Sequence, residues 1–135
     1  MPIKEKIVVI IQDNEGSWQF LLKEFITTLN GLPSILLENM VEATDWLDEQ
    51  ENLSPEKKML VLAFVVDGQL TPGMPLGMEG ENLIKRIRQI PQFDESVIIG
   101  NSARRELAGA DHNMKKDGRF MDQLVPWING GRKTD

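Results

Sequence analysis

Cysteine is absent from the 135 residues, tyrosine is absent too, and His112 is the single histidine. Without cysteine there are no disulfides and no thiolate metal sites. One histidine excludes a multi-histidine zinc centre and leaves little room for a serine–histidine hydrolase. No apolar stretch reaches the roughly 18 residues that a membrane span needs. The N-terminal residues MPIKEK lack the apolar segment of a secretory signal. A net charge of −6 without any lysine-rich block argues against a nucleic-acid surface. What remains is an acidic chain, 41% hydrophobic, of a length that suits one domain in a reducing compartment such as the cytoplasm.

What the chain does have is an apolar run, Met59 to Val66 (MLVLAFVV), that stops at Asp67-Gly68. An unbroken run of this kind reads as a strand buried on both faces, the pattern of parallel α/β sheets. In such sheets the chemistry gathers at the carboxyl ends of the strands. Asp67 is therefore placed where a reactive group belongs. Asp13 follows an earlier apolar run, Ile7 to Ile11. Two strand-end carboxylates can share a divalent cation, and one of them can attack phosphorus.

Along the chain, strands alternate with helices. Ile7–Ile11 is the first strand. Trp18, Leu21, Leu22, Phe25 and Leu29 recur at helical spacing behind Ser17 as N-cap, and Asn30-Gly31 stops that helix. Ser34–Leu37 is a second strand, and a helix from about Val41 to Gln50 turns Trp46 and Leu47 inward. Asn52 to Lys58 is a polar connection before the strand that ends at Asp67. The loop Gly68 to Gly80 is rich in glycine, proline and methionine. A helix over Glu81–Ile90, a strand over Ser96–Ile99, a short helix over Ala103–Ala108, a strand near Asn113–Lys115 and a last helix over Arg119–Ile128, with Pro126 distorting it, complete the order. This alternation implies a doubly wound parallel sheet with helices on both faces. Residues 1–130 form the domain and 131–135 a short tail.

Four local features, in this order and at this spacing, make the chain resemble a response-regulator receiver domain, the flavodoxin-like module of two-component signalling. Gln12-Asp13-Asn14 resembles the acidic turn after the first strand, and Asp67 the phosphoacceptor after the third. Ser102-Ala103 resembles the hydroxyl and small residues after the fourth. Gly109-Ala110-Asp111 with Lys116 resembles the segment that ends in a lysine after the fifth. Pro72-Gly73-Met74 and Glu79-Gly80 echo motifs that follow the phosphoacceptor. The resemblance implies five strands in the order 2-1-3-4-5. It implies a stand-alone receiver in which Asp67 takes a phosphoryl group from a histidine kinase or phosphotransfer protein. Asp13 and Asp67 would hold Mg²⁺, Lys116 would pair with a phosphoryl oxygen, and Ser102 would hydrogen-bond the phosphoryl group. Output would pass to a downstream protein, with neither nucleic acid nor membrane as partner. Beyond phosphorylation and dephosphorylation of Asp67, no enzyme activity is implied.

The chain departs from that pattern in five places. Gln12 replaces one acid of the usual pair, which weakens Mg²⁺ binding. The loop after Asp67 is longer. The segment between Ser102 and Gly109 shortens the fourth helix of the family. Asn113 stands where an aromatic residue is common, so an aromatic switch cannot operate. Asp117 replaces a proline beside Lys116.

Plainer roles compete with each functional one. Asp67-Gly68 is also a common turn dipeptide, Asp13-Asn14 a strand end, Asn101-Ser102 a helix cap, and Lys115-Lys116 a solvated pair. His112 reads as an exposed loop residue, Met74 and Met78 as loop packing, and Trp18, Trp46 and Trp127 as core or boundary aromatics. The alternative function is a pseudo-receiver, an interaction module that works without phosphorylation. A haloacid-dehalogenase phosphatase would need a second aspartate where Gln69 stands. A flavin or nucleotide binder would need a phosphate loop after the first strand. The sequence has neither.

Overall fold

Four apolar runs and one short mixed segment pair side by side into a single sheet. The computed structural model describes residues 6–12, 33–68, 70, 79–101, 106–114 and 120–130. Strands β1 (Lys6–Ile11), β2 (Ser34–Leu37), β3 (Leu60–Asp67), β4 (Val97–Asn101) and β5 (His112–Met114) lie in the order β2-β1-β3-β4-β5. Every pairing is parallel. This is the expected flavodoxin-like order. The three central strands are buried almost throughout, whereas β2 and β5 at the edges are half-buried, which explains why only the central runs are continuously apolar.

Alternation along the strands divides the core into two layers. Val9, Ile11, Phe64, Val66 and Ile98 face α1 (Met40–Asn52) and α2 (Glu79–Arg88), which contribute Ala43, Leu47, Leu83, Ile84 and Ile87. Val8, Ile10, Ala63, Val65, Val97 and Ile99 face α3 (Phe120–Asn129), which contributes Leu124 and Ile128. On the first face Trp46 stacks on Phe93 with centroids 5.9 Å apart, and Phe93 meets Phe64 edge-on at 5.0 Å.

The β1–β3 pairing slips once. Ile7 pairs with Val61 but Val8 pairs with Ala63, so Leu62 is an extra residue on β3, a bulge of a kind that is rare in parallel sheets. Val61 belongs to the first layer, whereas both Leu62 and Ala63 pack against the second.

Local chemistry sets the element ends. Asn39 caps α1: its Oδ1 accepts from Glu42 N at 2.9 Å, and Glu42 Oε1 accepts from Glu38 N at 3.2 Å, a reciprocal cap. The α2 helix begins two residues before the predicted start and ends at Arg88, because Ile90, ahead of Pro91, is extended (φ −99°, ψ 111°). β4 runs on to Asn101, and β5 starts at His112 rather than Asn113. Of the predicted short helix, residues 103–105 lie outside the described residues, and Glu106 to Gly109 form irregular chain and a turn. The last helix continues through Pro126 to Asn129, and Gly130 N donates to Pro126 O at 2.8 Å. The first predicted helix, residues 17–29, lies outside the described residues.

At the far end of the sheet from Asp67, Arg88 ties three segments together. It pairs with Asp111 at 2.8 Å and donates to the carbonyls of Phe93 and Ser96 at 3.2 and 3.0 Å. The same Asp111 Oδ2 accepts from Ile98 N at 2.8 Å. With side-chain exposures of 18% and 7%, neither partner can turn to water if the other is lost. Asp111→Ala is expected to lower stability by about 3 kcal/mol, as removing one member of a buried pair does. Asp48→Ala, which loosens the exposed contact of Arg86 with Asp48 and Glu51, is expected to shift the urea midpoint far less. Paired urea titrations check both.

Candidate functional site

Three neighbouring strands end in a row of polar side chains. Asp67 is level with Asn101 in the β3–β4 register, and Gln12 follows Ile11, which is level with Val66. Period-two alternation puts all three on the α3 face: Gln12 continues Val8 and Ile10, Asp67 continues Ala63 and Val65, and Asn101 continues Val97 and Ile99. Backbone bonds fix the row. Gln12 N donates to Leu37 O at 3.0 Å, and Gly68 N donates to Asn101 O at 3.3 Å.

The row is buried, with exposures of 1% for Gln12, 2% for Asp67 and 0% for Asn101. Gln12 Nε2 donates to Asp67 Oδ2 at 2.7 Å, and Asn101 Nδ2 donates to Gln12 Oε1 at 2.6 Å. An ionised carboxylate only accepts, so it draws the NH₂ end of Gln12 towards itself. The Gln12 oxygen then faces Asn101, which must offer its own NH₂. Asn101 Oδ1 is left buried with no hydrogen-bond partner among the described residues.

The start of α2 clamps the chain just beyond Asp67. Glu79 Oε1 accepts from Leu70 N at 3.0 Å. A Cβ on Gly80 would lie 2.7 Å from Asp67 O and 2.9 Å from Gly68 Cα, so the helix seats directly on the Asp67-Gly68 backbone. The Glu79-Gly80 motif is therefore a seat for the loop.

On the other side of β4, Asn113 fills the space that Gly100 leaves. A Cβ at Gly100 would fall on Asn113 Oδ1, which accepts from Leu107 N at 2.8 Å. Leu107 packs into the core beside α2 and closes over Gly80. Asn113 is thus fixed by a backbone bond. His112 is no loop residue: it is half-buried in β5 and stacks on Trp127 with centroids 4.7 Å apart and ring planes 5° apart.

Asp67 stands where the sequence puts it. Asp13, Ser102 and Lys116 lie outside the described residues, as does the Pro72-Gly73-Met74 motif. The polar partners that sequence reasoning missed are Gln12 and Asn101. Gln12 counts there as a lost acid and Asn101 as a cap. Both runs ahead of Gln12 and Asp67 are apolar on each face and β3 carries a bulge, so a shared face was not legible before the pairing was known.

No protein-family model matches the chain, and no curated protein matches it. Solved structures do. The receiver domain of a sensor histidine kinase from Pseudomonas aeruginosa PAO1, with a magnesium ion coordinated in its active-site cleft, superposes with a TM-score of 0.66 at 16% identity, over 93% of this chain and 98% of that one. The signal receiver domain of a DNA binding response regulator from Colwellia psychrerythraea 34H gives 0.67 at 14% identity, over 93% and 99%. The chain has the receiver-domain fold. A receiver domain protein from Methanospirillum hungatei JF-1 agrees, with 0.64 at 16% identity over 93% and 95%. The receiver fold places Asp67 at the carboxyl edge of its sheet. No helix among the described residues is long and apolar enough to cross a membrane.

The residues present suit a hard cation. Mg²⁺ takes oxygen ligands and keeps several waters. The described residues bring no group of three or more His, Cys, Asp or Glu together. They do bring the Asp67 carboxylate beside two amides, and one amide oxygen, Asn101 Oδ1, has no donor. The side-chain atoms of this row able to ligate a cation are all oxygens, the ligand type that Mg²⁺ takes, with the Gln12 NH₂ turned towards Asp67 in this structure. Gly80→Ala is expected to destabilise the fold by roughly 1–3 kcal/mol, because the new methyl meets backbone rather than a movable side chain. A urea titration of this variant checks it, and a stabilised variant would contradict the close seating.

Proposed function

We propose that this receiver-fold domain serves two-component signalling by accepting a phosphoryl group on Asp67 from a histidine kinase or phosphotransfer protein. The observation that carries the reading is the place of Asp67: a buried carboxylate at the end of the central strand, held by Gln12 and seated under α2. An Asp67 carboxylate oxygen attacks the phosphorus of a phosphohistidine. The new P–O bond forms as the N–P bond breaks, and the imidazole nitrogen keeps the electron pair and takes a proton. Asp67 and Asp13 would hold Mg²⁺, which would supply positive charge to offset that of the transferring group. Gln12 orients the carboxylate through its 2.7 Å hydrogen bond. Lys116 pairs with a phosphoryl oxygen and Ser102 hydrogen-bonds another. The signal passes by binding a downstream protein or by relay of the phosphoryl group.

A second reading is favoured by the same hydrogen bond. A carboxylate already satisfied by a neutral amide needs no cation, which suits a pseudo-receiver that binds partners without phosphorylation.

Intact-mass spectrometry after incubation with a small phosphodonor and Mg²⁺ decides between them. The proposal expects one labile phosphoryl adduct, lost in Asp67→Asn and in EDTA. Absence of any adduct, with partner binding unchanged in Asp67→Asn, would instead establish the pseudo-receiver.

A further inference from the structure

The polarity of the Gln12–Asn101 pair is set from one end. Asn101 Nδ2 bonds Gln12 Oε1, Gln12 Nε2 bonds Asp67, and Asn101 Oδ1 has no partner among the described residues to hold it as it is. Among the described residues only Gln12 bonds the Asn101 side-chain amide, so the way that amide lies follows Gln12. Gln12 Nε2 donates to Asp67 Oδ2 at 2.7 Å, and an amide nitrogen, its lone pair delocalised into the carbonyl, is no ligand for a metal. A cation about 2.1 Å from a carboxylate oxygen would meet those protons. The terminal torsions of glutamine and asparagine are broad and roughly two-fold, so each amide can turn over without moving the backbone.

We infer that a divalent cation at Asp67 turns both amides over, so that Gln12 faces the cation or one of its waters through Oε1 and donates from Nε2 to Asn101 Oδ1. The inference rests on the cation of the proposed function. It assigns Gln12 as the oxygen that stands in for a missing acid, and Asn101 as its positioning residue. The reversed pair keeps one hydrogen bond between the amides and uses the acceptor that is now orphaned. It also carries the state of Asp67 across to the end of β4, directly ahead of Ser102.

The test is trans-hydrogen-bond coupling by NMR on the ¹³C,¹⁵N-labelled full chain, titrated with MgCl₂. Without Mg²⁺, coupling is expected from Asn101 Nδ2 to the Gln12 side-chain carbonyl carbon. At saturation that coupling should vanish, and one from Gln12 Nε2 to the Asn101 side-chain carbonyl carbon should replace it. Unchanged coupling at saturating Mg²⁺ would overturn the inference, since the cation then sits on the other lone pairs of Asp67. If the phosphoryl adduct still forms in that case, the phosphoacceptor reading stands alone. If Mg²⁺ produces no shift near Asp67 and no adduct appears, both fail. Asn101→Leu should weaken Mg²⁺ binding roughly 10-fold or more, as losing a group that orients a metal ligand does. Should that variant not fold, the couplings of the unaltered protein still decide.

Discussion

A carboxylate taken out of water must be hydrogen-bonded or give up its charge, and the architecture around Asp67 answers that constraint. Parallel pairing brings Gln12 and Asn101 to its level. Period-two alternation turns all three side chains to one face. Gly80 lets a helix settle on the backbone just beyond, and Glu79 holds the next stretch of chain through Leu70 N. The strand ends, the helix start and the loop are thus organised about one buried oxygen atom and its amide donor.

Much of this was legible in the sequence. The runs Ile7–Ile11 and Met59–Val66 are long and apolar because β1 and β3 are covered on both faces, so the strands and the place of Asp67 at the end of one could be read directly. Other details were hidden for physical reasons. The end of β4 at Gly100-Asn101 carries no apolar signal, because one residue is bare to make room for Asn113 and the other is polar to meet Gln12. Glu79 and Gly80 at the start of α2 look like loop residues until the backbone they seat against is known. His112 reads as an exposed loop residue because its partner, Trp127, is fifteen positions away and on another element.

Identity of 14–16% to the superposed receiver domains shows how little of the sequence the fold requires. What the shared fold keeps is the arrangement of the sheet and its helices. Asn113 illustrates the freedom that remains. Its amide, bonded to Leu107 N, fills the space that Gly100 leaves.

The extra residue at Leu62 gives β3 a parity. Counted by strict alternation from Val61, Asp67 would point at α1 and α2, into a layer of leucine, isoleucine and phenylalanine with no amide to receive it. With Leu62 taken up as a bulge, Leu62 and Ala63 share the second layer and the alternation beyond them runs in step with β1, so Asp67 points the other way and meets Gln12. The bulge absorbs one residue of chain without disturbing the site: a strand lacking it would alternate strictly beside β1 and leave Asp67 on the same face.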